Sequence, residues 1–190
     1  MRSKLAAIGL PGWLILMGAL TAIGPLSIDM YLPAFPAIAS SLGAHSSEVE
    51  RTLAAYLLGM ASAQLIYGPL ADRFGRKPPL YGALALYILA SAGCALAPNV
   101  EFLTACRVLQ AMGGAAGMVI PRAVVRNHYS THDAARALSM LMLIMGIVPI
   151  LAPVLGAYIL SWMGWRGIFV TITLCGIALL WTLSKVMVES

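Results

Sequence analysis

Charged residues in this chain fall in short clusters, and the sequence between clusters is apolar. The stretches 5–28, 52–71, 78–100, 108–121, 137–165 and 167–184 contain no Asp, Glu, Lys or Arg. Five of these six are 18 residues or longer, so each is long enough to cross a hydrocarbon core about 30 Å thick as a helix. The sixth is short only because Arg107 and Arg122 interrupt an apolar run over 102–125. The pattern predicts an all-α membrane protein with six transmembrane helices at about 12–33, 48–71, 79–97, 100–125, 134–161 and 167–185. Local signals mark the boundaries. Ser47 with Glu50 reads as a capping box, and Pro78-Pro79 sets a proline at a helix start. Pro98-Asn99 reads as a tight turn, and Asp133 as an N-cap. Arg2 and Lys4 would open a signal peptide, but the following apolar run exceeds an h-region and continues into Asp29-Met-Tyr-Leu-Pro33.

Composition narrows the classes. Apolar residues make up 61% of the chain and charged residues 10%, with a mean hydropathy of +0.89. A soluble domain is roughly a quarter charged, so too few charges are present to cover a water-facing surface. That excludes a soluble enzyme, a disordered chain and a nucleic-acid-binding domain. The 190 residues hold one six-helix domain with no large soluble part. The net charge of +5 is a matter of placement. Arg2, Lys4, Arg73, Arg76, Lys77, Arg126, Arg136 and Lys185 share the side of the termini, against Arg51 and Arg166 on the other. The positive-inside rule then places both termini in the cytoplasm.

Some residues are out of place in a membrane. Asp29 lies in the last turns of the first helix, on one face with Thr21 and Pro25, and reads as a protonatable site. Arg107 lies about two turns, or roughly 10 Å, inside the fourth helix from the same side. Equal depth predicts that Asp29 and Arg107 pair. Arg107, Gln110, Gly114, Gly117 and Pro121 form one polar, small-residue stripe beside a cavity. Arg122 sits nearer the inner interface, where it can snorkel. Gly113-Gly114-Ala-Ala-Gly117 lies inside an apolar helix, so it reads as close packing and not as a phosphate loop. Gly146, Pro149, Pro153 and Gly156 predict a bent fifth helix. Cys94, Cys106 and Cys175 match no metal spacing and read as packing residues. His128 and His132, four apart beside Asp133, lack further ligands and read as a solvated loop. No hydrolase motif is present, and the residues call for no cofactor and no metal.

The loop Gly68-Pro-Leu-Ala-Asp72-Arg73-Phe-Gly75-Arg76-Lys77 resembles the signature loop of the major facilitator superfamily. Three further segments are similar to its drug:proton antiporter branch. They are Asp29-Met-Tyr-Leu-Pro33, Arg107-Val-Leu-Gln110-Ala111-Met-Gly113-Gly114, and Gly146 with Ala152-Pro153-Val-Leu-Gly156. Ala111 and Ala152 stand where the branch usually has glycine. Gln64-Leu-Ile-Tyr-Gly68 and Arg122-Ala-Val-Val-Arg126 look closest to the Bcr/CflA multidrug efflux family. The resemblance implies a non-enzymatic efflux protein of a bacterial inner membrane, exchanging protons for bicyclomycin- or chloramphenicol-like drugs. It implies that Asp29, Arg107, Gln110 and Gly114 serve proton coupling and the drug cavity. Gly68, Asp72, Arg73, Gly75, Arg76 and Lys77 would form a cytoplasmic gating loop. Protonation of Asp29 would weaken its pairing with Arg107. The chain would be an amino-terminal bundle with an internal 3+3 repeat, traced by Gly75-Arg-Lys77 against Gly164-Trp-Arg166. Such transporters have two bundles, and the second is absent from this sequence. A silent half-transporter and a homodimer of six-helix protomers remain open beside it.

Overall fold

The computed structural model describes residues 12–128 and 131–186. Arg2 and Lys4 of the topology count lie outside them, as do the side chains of His128 and His132. The described residues form helices joined by short turns, with no strand among them. Helix α1 spans Gly12–Asp29, a 3₁₀ turn follows at Leu32–Ala34, and α2 spans Phe35–Leu42. Next come α3 (Ser46–Phe74), α4 (Lys77–Ala95), α5 (Val100–His128) and α6 (Thr131–Val186). Five segments are long and apolar enough to cross a membrane: Gly12–Leu42, Ser46–Phe74, Lys77–Ala95, Val100–Arg126 and Asp133–Lys185.

Several boundaries differ from the sequence reading. The first span does not stop at 33. Pro33 opens a 3₁₀ turn and the chain resumes as α2, which ends at Gly43 in the left-handed conformation (φ 60°). Helix α3 is capped at His45, whose N–H donates to Glu48 Oε2 at 2.7 Å, and not by Ser47 and Glu50. Asn99 does more than turn the chain: its Oδ1 accepts from Phe102 N–H at 2.8 Å, capping α5. Asp133 lies inside the first turn of α6, which already begins at Thr131.

The expected fifth and sixth helices share one 56-residue element, α6. A straight helix of that length would run about 84 Å, well over twice the hydrocarbon thickness. It is not straight, because Gly164 leaves helical geometry at φ 69°, ψ −178°. Eight residues before the break, Gly156 packs against the backbone of Met30. Five residues after it, Phe169 meets the neighbouring Tyr31 ring at 5.7 Å. Two points on either side of the break thus meet the same level of the bundle, so the limbs 131–163 and 165–186 fold back on each other. Arg166 ties the break to the α4–α5 turn by donating to Ala97 O at 3.0 Å.

Helix α5 is central and packs on α3, α4 and α1, while α6 covers α1 and α4. Backbones approach closely where glycine allows it. A Cβ on Gly113 would meet Tyr87 N at 2.5 Å and Ala83 O at 2.6 Å, and one on Gly117 would strike Leu20 O. The glycine run of α5 is therefore a packing surface. The distribution of polarity suits lipid. Thr21, Ser27, Thr52, Ser91, Arg107 and Gln110 are buried, whereas Leu58, Leu65, Leu89, Ile150, Val154 and Trp162 lie exposed on the outside.

Candidate functional site

The centre of the bundle is built around a charge. Arg107 is fully buried, with 0% of its surface exposed. Its position two turns into α5 points it at α1, where its Nη1 donates to Ser27 O at 3.1 Å and to Gln110 Oε1 at 2.7 Å. Gln110 is one turn further along α5, so it lies on the same face. It passes the interaction on, donating from Nε2 to Ser91 Oγ at 2.8 Å, and Ser91 donates to Tyr87 O at 2.6 Å. Ser27 Oγ donates to Ile23 O at 2.7 Å and shares a 2.6 Å hydrogen bond with the Tyr87 hydroxyl.

Among the described residues, no carboxylate balances the guanidinium. Aromatic faces do so instead: Arg107 Cζ lies 4.1 Å from the Tyr56 ring centroid, 4.4 Å from that of Tyr31 and 5.9 Å from that of Phe169. The negative face of a ring attracts a cation, by about 2 kcal/mol or more when water is excluded. The rings are themselves anchored, Tyr31 to Thr52 Oγ1 at 2.6 Å and Tyr56 to Gly24 O at 3.3 Å. Arg107 Nε and Nη2 have no hydrogen-bond partner.

The expected Asp29–Arg107 ion pair is not formed. Asp29 is the last residue of α1 and is half-buried, while the Nη1 of Arg107 is directed to Ser27 and Gln110. Depth alone suggested the pair, but rotation decides it. Asp29 is two residues beyond Ser27, about 200° around the helix, so its side chain leaves α1 on a different side. Gly114 faces Tyr56 and Tyr87, with their side-chain atoms 3.5 Å from where its Cβ would stand. Sequence reasoning missed Ser27, Tyr31, Tyr56, Tyr87 and Ser91. Their signal was available, since a polar side chain in an apolar helix needs a partner as a charge does.

The loop residues gather at the other end of the bundle. Gly75 takes φ 78°, ψ 174°, beyond the reach of most side chains, and joins α3 to α4. Asp72, Arg73 and Lys77 are exposed and Arg76 half-buried, with Arg73 over the Phe74 ring at 5.2 Å. Gly68 makes no close helix contact, because nothing lies within 4 Å of an added Cβ. In α6, Gly156 is a contact glycine, Gly146 faces open space, Pro149 is exposed and Pro153 half-buried. Among the described residues, no three His, Cys, Asp or Glu side chains gather as a metal site.

The family model described as Major Facilitator Superfamily matches residues 14–188. The chain belongs to the major facilitator superfamily. It is thus a multi-pass membrane protein of a transporter family. An uncharacterized MFS-type transporter, YdgK of Bacillus subtilis, is 42% identical over 166 residues, covering 86% of this chain and 41% of the relative. The multidrug resistance protein MdtL of Escherichia coli O139:H28 is 40% identical over 168 residues, covering 88% and 43%. A chloramphenicol resistance protein of Pseudomonas aeruginosa is 38% identical over 156 residues, covering 82% and 37%. The superfamily chain thus spans about two fifths of the length of these curated relatives.

Proposed function

We propose that this superfamily chain forms the amino-terminal six-helix bundle of a proton-coupled exporter of small hydrophobic drugs, of the Bcr/CflA type, working against a second six-helix bundle across a shared cavity. The observation that carries the reading is the buried Arg107. A charge at the centre of a membrane bundle is costly and marks transport machinery, and here it is held by aromatic faces, with no counter-ion among the described residues. Drug export is argued from the resistance proteins among its relatives. The six-span reading is supported by the break at Gly164, which divides α6 into two limbs. The 3+3 repeat draws support from Gly75 and Gly164, 89 residues apart, which share one unusual backbone conformation and each precede basic residues. Both termini face the cytoplasm on the charge count.

In the proposed mechanism Asp29 is the proton site. It couples through the end of α1, since Ser27 two residues earlier accepts from Arg107 and Tyr31 two residues later stacks on it. Protonating Asp29 shifts this segment against α5 and biases a two-state rocking of the bundle. Helices α1 and α5, with Gln110 and Gly114, border the drug cavity. Asp72, Arg73 and Arg76 latch the inward-closed state, and Pro149 and Pro153 let the first limb of α6 bend.

The test is drug–proton exchange in proteoliposomes under an imposed pH gradient, with drug binding measured in parallel. Loss of exchange in Asp29→Asn with binding retained is the expected result. Exchange that persists in Asp29→Asn removes Asp29 from the scheme. A wild-type chain that neither binds nor moves drug overturns the transport reading.

A further inference from the structure

At the basic end of the bundle, α3, α5 and the first limb of α6 enclose a cleft of about 470 Å³. Gln64, Asp72, Arg122 and Arg126 supply its polar wall, and Met118 and Met142 are among its apolar lining. The two arginines are four residues apart on α5, so they stand one above the other on a single face. Two guanidinium groups and one carboxylate line the cleft, which leaves the wall net positive. Arg122 turns its Nη2 to the Met145 sulfur at 2.9 Å, a soft and weak acceptor that an anionic oxygen would outcompete. The volume lies within the range of small-ligand sites, and the flanking α6 surface is apolar and exposed at Met142, Leu143 and Ile147.

We propose that this cleft is a binding site for an anionic phospholipid, its phosphodiester forked by Arg122 and Arg126 and the upper part of its acyl chains lying along the methionine-lined wall. The chemistry selects the ligand. Paired guanidinium forks match phosphate oxygens, an apolar wall beside them matches an amphiphile, and basic pockets between transmembrane helices on one membrane face hold anionic headgroups. The inference rests on the membrane reading alone and not on drug–proton exchange, so the flux assay can fail while this site stands.

The experiment uses the purified chain in detergent, given equal phosphatidylglycerol and phosphatidylcholine, with retained lipid counted by native mass spectrometry. One phosphatidylglycerol retained at least tenfold over phosphatidylcholine is expected. Arg122→Gln with Arg126→Gln should weaken that retention at least tenfold, on the basis of about fivefold per basic residue at an anionic surface. Asp72→Asn should strengthen it by removing the opposing charge, a gain that misfolding does not produce. Equal retention of the two lipids, or retention unchanged in the double variant, overturns the proposal. So does displacement of phosphatidylglycerol by millimolar inorganic phosphate, which makes the site one for a soluble anion. A dimer that carries no lipid assigns the cleft to protein contact and overturns it as well.

Discussion

Replacing Arg107 by methionine should leave the bundle nearly as stable as it is, whereas replacing it by lysine should not. The guanidinium gains two hydrogen bonds from a charged donor, at about 1.5–3 kcal/mol each, and two close ring contacts at about 2 kcal/mol each. These amount to about 7–10 kcal/mol. Against them stand a desolvation penalty of several kcal/mol for a buried ion and two unpartnered N–H groups, Nε and Nη2, at about 1–3 kcal/mol each. The two sides are equal within a few kcal/mol, so Arg107 contributes little net stability. Methionine keeps the length and apolar contact with Tyr31, Tyr56 and Phe169 and removes the ion. Its cost is two unsatisfied acceptors, Gln110 Oε1 and the Ser27 carbonyl, at about 1–3 kcal/mol each, set against the relief of the buried ion. Lysine keeps the ion but loses the planar fork that lies between the rings, and a buried charge deprived of its partners costs about 3–5 kcal/mol.

The expected order is therefore wild type, then Arg107→Met within about 2 kcal/mol, then Arg107→Lys. Equilibrium unfolding in mixed micelles measures the differences. Thermal labelling with a thiol dye checks the order, because Cys94 is fully buried and reports opening of the bundle, while Cys175 is exposed and sets the baseline. A lysine variant more stable than the methionine variant would refute the argument, as would a methionine variant that loses more than about 4 kcal/mol. Either result would mean that the rings and hydrogen bonds exceed the desolvation cost, and that Arg107 is a structural charge.

Four further outcomes follow from the packing. Gly113→Ala should destabilise by about 1–3 kcal/mol, because the added methyl meets Tyr87 and Ala83 backbone atoms that cannot rotate away. Gly82→Ala meets nothing within 4 Å and should be neutral or stabilising by up to about 1 kcal/mol in the same unfolding titration. Gly75→Ala and Gly164→Ala should each cost about 1–3 kcal/mol, and similar amounts, since both backbones sit in a region nearly closed to other residues. Unequal costs would show that the two turns bear different loads. Ser27→Ala removes a hydroxyl that both Ile23 O and Tyr87 engage, and should cost about 1–3 kcal/mol while leaving the Ser27 carbonyl on Arg107.

The existence of the spans was legible because it depends on local composition. An 18-residue stretch without a charge reads the same in any tertiary setting. The glycine run of α5 was legible for a related reason: in an apolar helix, small residues have little use besides close approach. The end of the first span was not legible, because Pro33 within a 3₁₀ turn leaves the hydropathy of 12–42 unbroken. The cap of α3 was misread by two residues because serine is the commoner capping type, while Glu48 here serves a histidine backbone. The Asp29–Arg107 pairing failed for a geometric reason. Sequence spacing gives depth along a helix, but which side chains meet across two helices depends on the rotation of each about its own axis. The ring cage was out of reach altogether, since Tyr31, Tyr56 and Phe169 come from three different segments, the last of them more than a hundred residues beyond the second.

Those same contacts limit how a proton signal can travel. Among the described residues, the hydrogen-bond and ring partners of Arg107 lie between Ser27 and Phe169, so these contacts are made within this bundle. Two of them, Ser27 and Tyr31, bracket Asp29 on the end of α1, where the helix gives way to a 3₁₀ turn. A helix end is a weaker structure than a helix middle, because its last carbonyls lack intrahelical partners. In the proposed mechanism, a change of charge at Asp29 therefore acts on this end of α1. On that mechanism the response would fall on the Ser27 carbonyl and the Tyr31 ring, since Gln110 and Tyr56 lie in the middle of their helices. Coupling through this segment needs no ion pair. It predicts that a substitution at Tyr31 which keeps the ring, such as Tyr31→Phe, alters the proton dependence of transport more than its drug affinity, because the Thr52 anchor is lost while the face over Arg107 remains. Equal effects on both would place the control elsewhere than at the end of α1.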